Sequence, residues 1–471
     1  MALTKITGKG IGAVDEITSD TAGTSNFVAG VNAGDAIASG GNYNVCVGDE
    51  AGTAITTGDD NVAVGYAALK TEDAHGRNTA VGYEALEMLN AGADGENVAV
   101  GYRAGEELTE GIKNTLIGAQ AGDSLTHADF NVAVGRNALT NDTQGHRSVA
   151  IGHAALGTQN FTSSTDTYNT AVGHSAGNAI TTGVENVMIG GNAGLQSTTA
   201  DDNVFIGFKA GGGGAVSAQT GHDNICVGSS AGLSLTSGGG HVIIGERAGQ
   251  STTTANNNIM IGQLCGAHAR ETNGSYNVLV GNFCDSSSTS VDHEIIIGYD
   301  VTGQGVNNFT FGNASNDSNI AFGATSISAP SDERYKEEVT TSTAGLSFIN
   351  DLRPVTFKWK KEKDIPTDHK AYVKDSDARV MGRGETIQHG FIAQEVKTAI
   401  DNHSEIKDGF DMWMEDPNDG RQRIADGALI PMLVKAIQEL SAKVTALETE
   451  NKTQTTQIAD LISRVTALES A

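Results

Sequence analysis

Few residues of this 471-residue chain have types and spacing that suggest chemistry. The densest group is the hexapeptide Ser331-Asp332-Glu333-Arg334-Tyr335-Lys336, which sets a hydroxyl and an amine five residues apart, directly after Pro330. From residue types alone it reads as a helix start, with Ser331 as N-cap and acidic residues in the first turn. Its position singles it out, because one kind of sequence ends there and another begins. The carboxylate pairs Asp59-Asp60 and Asp201-Asp202 have the types needed for acid and base work on a polysaccharide. They occupy turn positions of a repeat, however, and read as solvated faces. The four cysteines, Cys46, Cys226, Cys265 and Cys284, stand where the repeat otherwise holds small or apolar residues. They read as buried, unpaired hydrophobes; a disulfide joining Cys265 to Cys284, at one position of adjacent units, is the alternative. Neither they nor the twelve histidines have metal-ligand spacing. The glycine run 211–214 lacks the Lys-Ser/Thr of a phosphate loop, and no acidic loop has the calcium pattern. No metal and no cofactor is expected.

The boundary that the hexapeptide marks is sharp. Up to residue 330 lie 53 of the 60 glycines, one proline, no tryptophan, and 11 basic against 32 acidic residues. After it come Trp359 and Trp413, four prolines, and 19 basic against 25 acidic residues. The net charge of −27 disfavours nucleic acid or an anionic membrane as main partner. No apolar run is long enough to span a bilayer, and the N-terminus lacks the apolar core of a secretory signal.

The N-terminal part is a repeat of Asn, three mostly apolar residues, then Gly. Copies start at 44, 61, 78, 97, 114, 131, 148, 169, 186, 203, 224, 241, 258, 277 and 294, then at 308 and 319, with a degenerate first copy at Asn26. The period is 17 residues, stretched to 19 or 21 in places, and Ser148, His241 and Glu294 replace the Asn. A second beat follows: Gly, two variable residues, Ala or Cys, then Gly or Leu. A unit this short is stable only when consecutive units stack as hydrogen-bonded coils, with insertions emerging as loops.

Within each unit the second and fourth positions share one strand face, and the third points to the other. All three are apolar, as in Val62-Ala63-Val64. A strand apolar on both faces is buried on both. One face fills the coil; the other needs a cover that a thin Ala- and Gly-rich coil cannot supply, and another copy of the chain is the economical one. The expected fold is mostly β, a parallel β-solenoid (β-roll) that oligomerises along this strand. About seventeen coils at a spacing of about 4.8 Å give a rod roughly 80 Å long.

Over residues 26–323 this repeat resembles the heads of trimeric autotransporter adhesins and similar repeats in phage tail fibres, where a left-handed β-roll trimerises. The resemblance implies a homotrimer; periodicity alone cannot count the chains. Beyond the hexapeptide, three blocks follow in order: Asp351-Leu352-Arg353-Pro354-Val355-Thr356-Phe357-Lys358-Trp359, then Gly390-Phe391-Ile392-Ala393-Gln394-Glu395-Val396, then Pro431-Met432-Leu433-Val434-Lys435-Ala436-Ile437-Gln438-Glu439-Leu440. Together they resemble the intramolecular chaperone auto-processing domain of endosialidase tailspikes, phage tail fibres and a eukaryotic membrane-bound transcription regulator. The expected organisation is an attachment arm at 1–25, a solenoid shaft and tip at 26–330, a small α+β chaperone at 331–428, and a coiled coil at 429–471.

This second resemblance implies a serine–lysine dyad, with Ser331 as nucleophile and Lys336 as general base of a self-cleaving serine endopeptidase. A serine hydroxyl is a useful nucleophile only when a base takes its proton, and lysine is such a base only when desolvation lowers its pKa from about 10.4. Five residues on a helix set two side chains about 140° apart, and on a straight strand they face opposite ways. A bend must therefore separate Ser331 from Lys336, or a neighbouring subunit must complete the site, which would make cleavage wait for assembly. The expected cut is the Pro330–Ser331 bond, with a cut one residue later as the alternative. Arg334 and Glu395 read as surface ion pairs.

The last stretch has heptad spacing: Ile437, Val444, Ile458 and Val465 at one core position, Leu433, Leu440, Leu447, Leu461 and Leu468 at the other, with polar layers at Asn451 and Gln454. β-Branched residues opposite leucine favour two strands in parallel coils; the resemblance implies three. The functional expectation is a phage tail fibre that attaches to the host surface. It would be made in the host cytoplasm and carried on the virion through residues 1–25, meeting a bacterial glycan or outer-membrane protein. Candidate receptor contacts are Phe161 and Tyr168 on the insertion at 159–168, with Phe161 exposed, a second insertion at 211–222, and Phe309 and Phe311 in the tip, which equally reads as a solenoid cap. A tailspike depolymerase and a cellular trimeric adhesin are the alternatives.

Overall fold

The computed structural model describes residues 21–214, 218–267, 273–314, 316–324, 327–328, 331–367, 369–380, 384–407, 410–416 and 420–470. Most of the arm at 1–25, and Pro330, lie outside the described residues. The chain divides into two units, Met1–Ser331 and Asp332–Ala471.

The first unit is a parallel β-solenoid. Each repeat contributes a three-residue strand, from Phe27–Ala29 and Val45–Val47 through Val278–Val280, and each strand pairs in parallel with its neighbour at the same repeat position. The glycine that ends each strand is required by both conformation and space. Gly65 has φ +134°, and a Cβ there would lie 2.2 Å from the carbonyl oxygen of Gly82 in the next coil. Such a φ is costly for any residue but glycine. The third strand position points inward and is closed off from solvent, as at Ala63, Leu116, Phe205 and Met260. Inside the coil, volumes compensate. Where that position is Ala63, Ala80, Ala133 or Ala150, the same coil carries buried Leu69, Leu86, Leu139 or Leu156 six residues on; Ala99 and Ala171 are followed instead by Gly105 and Gly177, and there Leu86 with Leu116, and Leu156 with Met188, reach in from the adjacent coils. Where it is Phe205, the matching residue is Gly211, whose Cβ would sit 2.2 Å from the ring. A single continuous core runs from Ala33 to Val301.

The leading Asn of each repeat joins the coils. Asn61 donates its backbone N–H to the side-chain Oδ1 of Asn44 (2.9 Å), while the Asn44 side-chain amide donates to the carbonyl of Gly58 (2.8 Å). This ladder satisfies buried backbone groups that the strands leave unpaired. Its three exceptions are repaired locally. His241 accepts at Nδ1 from the backbone of Asn258 (3.2 Å), and its Nε2 bonds the carbonyl of Ala255 (2.7 Å), so a neutral imidazole reproduces both halves of an Asn. Ser148 is too short, and Gln159, buried from the following insertion, bridges Ser148 Oγ (2.9 Å) to the side-chain amide of Asn169 (2.9 Å). Glu294 ends the ladder by accepting the N–H groups of Ser287 and Gly305.

The outward face of the parallel sheet remains open to solvent. Val100, Ile117, Ile189, Ile244 and Ile297, all at the fourth position, keep 37–42 % of their surface exposed. They form one β-branched stripe from coil to coil. The sheet stops at a hairpin: Asn308–Asn313 continues the parallel order, and Asn316–Ala321 pairs back on it antiparallel. That hairpin has the form of a solenoid cap.

The second unit holds helix α1 (Leu346–Asp351), helix α2 (Ala393–Asp401), helix α3 (Leu429–Glu469) and two short antiparallel pairs, Val355–Phe357 with Gln388–Gly390 and Trp413–Glu415 with Gln422–Ile424. Its core gathers Phe348, Val396, Ala399, Ile400, Met412 and Leu429. Near its start α3 has two faces. Leu429, Met432, Ala436 and Glu439 turn to the core, where the Glu439 carboxylate accepts the first N–H of α1 from Leu346 (2.8 Å). Leu433, Ile437, Leu440, Val444 and Leu447 are exposed, so among the described residues the heptad seam has no cover.

Candidate self-processing site

Between Ser331 and Lys336 the chain makes a 3-10 turn at Glu333–Tyr335. Asp332, in extended conformation at φ −71°, caps it, and Lys336 closes it by donating its backbone N–H to the carbonyl of Glu333 (3.0 Å). Ser331 is thus not the N-cap expected from residue types. The acceptor is one residue later because a carboxylate can serve the N–H of Arg334 and its guanidinium together. Asp332 Oδ1 takes that N–H (2.9 Å) and Arg334 Nε (3.0 Å), and Oδ2 takes the guanidinium Nη2 (2.5 Å). The side-chain and backbone hydrogen bonds from Arg334 hold the Asp332 carboxyl below its ordinary pKa. Ser331 and Lys336 are both exposed.

The three sequence blocks build scaffold. The first runs from the end of α1 into the strand Val355–Phe357, the second from Gly390 into α2, and the third lies in α3. Arg353 and Glu395, from the first two blocks, form a two-pronged ion pair that ties the blocks together. His403 is nearly buried, bonded at Nε2 to Asp351 (2.9 Å) and at Nδ1 to Glu405 (3.1 Å), with its ring edge-on to Phe348. These carboxylates, Asp351 first, raise its pKa despite partial desolvation.

In the shaft, most groups singled out by type have structural work. Asp59 accepts the N–H of Asn42 in the preceding coil (2.6 Å), and Asp201 that of Val184 (2.8 Å), so these carboxylates tie coil to coil. All four cysteines are free and buried. Burial pushes the Cys46 thiol up to about 11 and raises the others too, which keeps them protonated and unreactive. One group imitates a hydrolase triad: His146 Nε2 lies 2.9 Å from Ser164 Oγ, with an Asp129 carboxylate oxygen 3.6 Å from Nδ1. The backbone N–H of Asp129 donates to that Nδ1 (2.9 Å). The ring proton is thereby placed on Nε2, which donates to Ser164 and cannot take its proton.

Of the surface residues expected to meet a receptor, Tyr168 is 52 % exposed. Phe161 is corrected: it is buried, because the insertion folds back, with the Phe161 N–H on Asp142 Oδ1 (2.9 Å) and its carbonyl accepting from Gln144. The exposed residues of that insertion are Asn160, Thr162, Ser163, Ser164, Asp166 and Tyr168. Phe309 and Phe311 are half-buried and stand in register with Ile295 and Ile297, so they prolong the apolar stripe.

A family model described as chaperone of endosialidase matches residues 331–405, beginning at the serine that precedes the capped turn. Residues 331–405 are a chaperone-of-endosialidase domain. The chaperone-of-endosialidase domain is a self-cleaving kind of intramolecular chaperone, and here it follows a β-solenoid, as in a fibre- or tailspike-like protein. No curated protein and no solved structure matches the chain. Among the described residues, no helix is long and apolar enough to cross a membrane.

Sequence reasoning missed the Asp332 cap, the Gln159 repair and the two hydrogen bonds by which His241 does the work of the Asn it replaces. The cap was readable, since Asp is as good an N-cap as Ser and here has an Arg two residues on. The Gln159 repair required knowing that the insertion turns inward.

Proposed function

We propose that the chain is a homotrimeric fibre of phage-tail type that attaches its virion to a bacterial surface, and that its chaperone assembles three copies and then cuts itself off. The observation that carries this reading is an endosialidase-type chaperone domain immediately behind a solenoid whose sheet exposes an unbroken apolar stripe. Covering the remaining surface of one Val or Ile contributes roughly 0.5–1 kcal/mol, and the stripe repeats in nearly every coil. Parallel coil stacking is slow because its contacts are distant in sequence. A helical seam that gathers three chains in register first would shorten that search.

Cleavage follows the serine–lysine scheme. Ser331 Oγ attacks the carbonyl carbon of residue 330 and gives its proton to Lys336. The C–N bond to Ser331 breaks as the lysine returns the proton to the leaving amine. Water then hydrolyses the resulting ester to a carboxylate and the free hydroxyl. The exposure of Lys336 in one chain supports a gate in which a neighbouring subunit supplies the desolvation a lysine base requires. Residues 1–25 would join the virion, and Tyr168 with the exposed tip of its insertion would contact a glycan or outer-membrane protein. Ser331→Ala and Lys336→Ala should each leave the full-length chain intact on a denaturing gel, while the wild type yields two fragments. Normal cutting of both variants would defeat this scheme.

A further inference from the structure

We propose that Asp332 and Arg334 are positioning residues for self-cleavage: their fork locks the 3-10 turn that begins beside Ser331 and ends at Lys336. The inference rests on the serine–lysine reading and adds what prepares its geometry. A three-residue 3-10 turn has poor hydrogen-bond geometry and little stability of its own. Among the described residues, its backbone closure is Lys336 N–H to the carbonyl of Glu333, which leaves a part for side chains in holding it. The Asp332 carboxylate does so with three donors of one residue, the backbone N–H, Nε and Nη2 of Arg334.

Two features separate this pair from ordinary scaffold. The Arg334 side chain is 81 % exposed, and an exposed ion pair contributes little to global stability. Among the described residues, the bonds of Asp332 and Arg334 are to each other and within the turn. The fork therefore fixes one local conformation and, among the described residues, ties no other element. That conformation sets the backbone directions from which Ser331 and Lys336 emerge. Displacement of a reacting group by about an ångström costs on the order of a hundredfold in rate.

The test follows first-order cleavage of the full-length chain, with oligomeric state measured in parallel by light scattering. Asp332→Ala should slow cutting by at least about tenfold while the assembled species forms as in wild type. Asp332→Asn keeps an acceptor for the Arg334 N–H and should recover part of the lost rate. Arg334→Lys, which cannot fork, should fall between wild type and Asp332→Ala. The shape of the pH–rate profile should be unchanged in all three, because none alters the base. Asp332→Ala cutting at the wild-type rate, or losing assembly in step with cutting, would overturn the proposal. Normal cutting of Ser331→Ala would instead remove the serine–lysine reading beneath it, so the two failures are distinct.

Discussion

His241 shows how one residue carries a consequence for the whole shaft. It stands in for Asn by holding its imidazole neutral, and burial lowers its pKa. An unfolded histidine titrates near 6.5. The unfolded chain therefore binds more protons as pH falls, and the stability present above that value is lost progressively below it. His241→Asn should remove this loss: between pH 8 and pH 5 the thermal midpoint of the variant should fall less than that of the wild type. Equal falls would show that His241 is not the sensitive rung. Asn131 probes the ladder itself, since it accepts the N–H of Ser148 (2.8 Å) and donates to the carbonyl of Gly145 (2.9 Å). Asn131→Ala strands two buried backbone groups and should cost about 2–4 kcal/mol by denaturant unfolding. At this scale the sequence revealed that Asn recurs, because period is visible in one dimension. It hid what Asn does, because the bonds join residues 14 and 17 apart. Ser331 and Lys336 stood out through position and resemblance, whereas Asp332 was hidden behind a better-known nucleophile.

The interior of the solenoid is filled by large residues set against small ones, within a coil or from its neighbours. Ala63 with Leu69 and Phe205 with Gly211 are two solutions of one equation. Phe205→Ala alone should cost about 3–5 kcal/mol, the usual effect of an aromatic cavity. Adding Gly211→Leu should recover a large part of that, because Leu69 holds the same coil position at φ 49° and Gly211 lies at φ 62°. No recovery in the double variant would disprove the compensation. The strands were legible element by element, since a three-residue apolar run between Asn and Gly has one sensible reading. The insertion at 159–168 was not, because the burial of Phe161 depends on Asp142, 19 residues earlier. Helix α3 was legible through its heptads, but the use of its other face by the domain core was not. Leu447→Asp, on the exposed seam and away from that core, should weaken association of the full-length chain and delay cutting without unfolding the domain. Unchanged association would remove the seam from the account.

At the scale of the whole molecule, the apolar stripe and the open heptad seam are two unsatisfied surfaces on one chain, with a chaperone-of-endosialidase domain between them in sequence. Both are satisfied if identical chains stand side by side in register. Ile244→Lys places a charge in the middle of the stripe and should lower the yield of assembled shaft, leaving the C-terminal domain still able to associate; a normal yield would show that the stripe is not an interface. The most direct measurement is native mass spectrometry of the purified product of the full-length gene, followed by intact mass under denaturing conditions. The account predicts a complex of three shafts, each ending at residue 330, and a separate fragment that begins at Ser331. A soluble single chain of full length with its β-structure intact would contradict it.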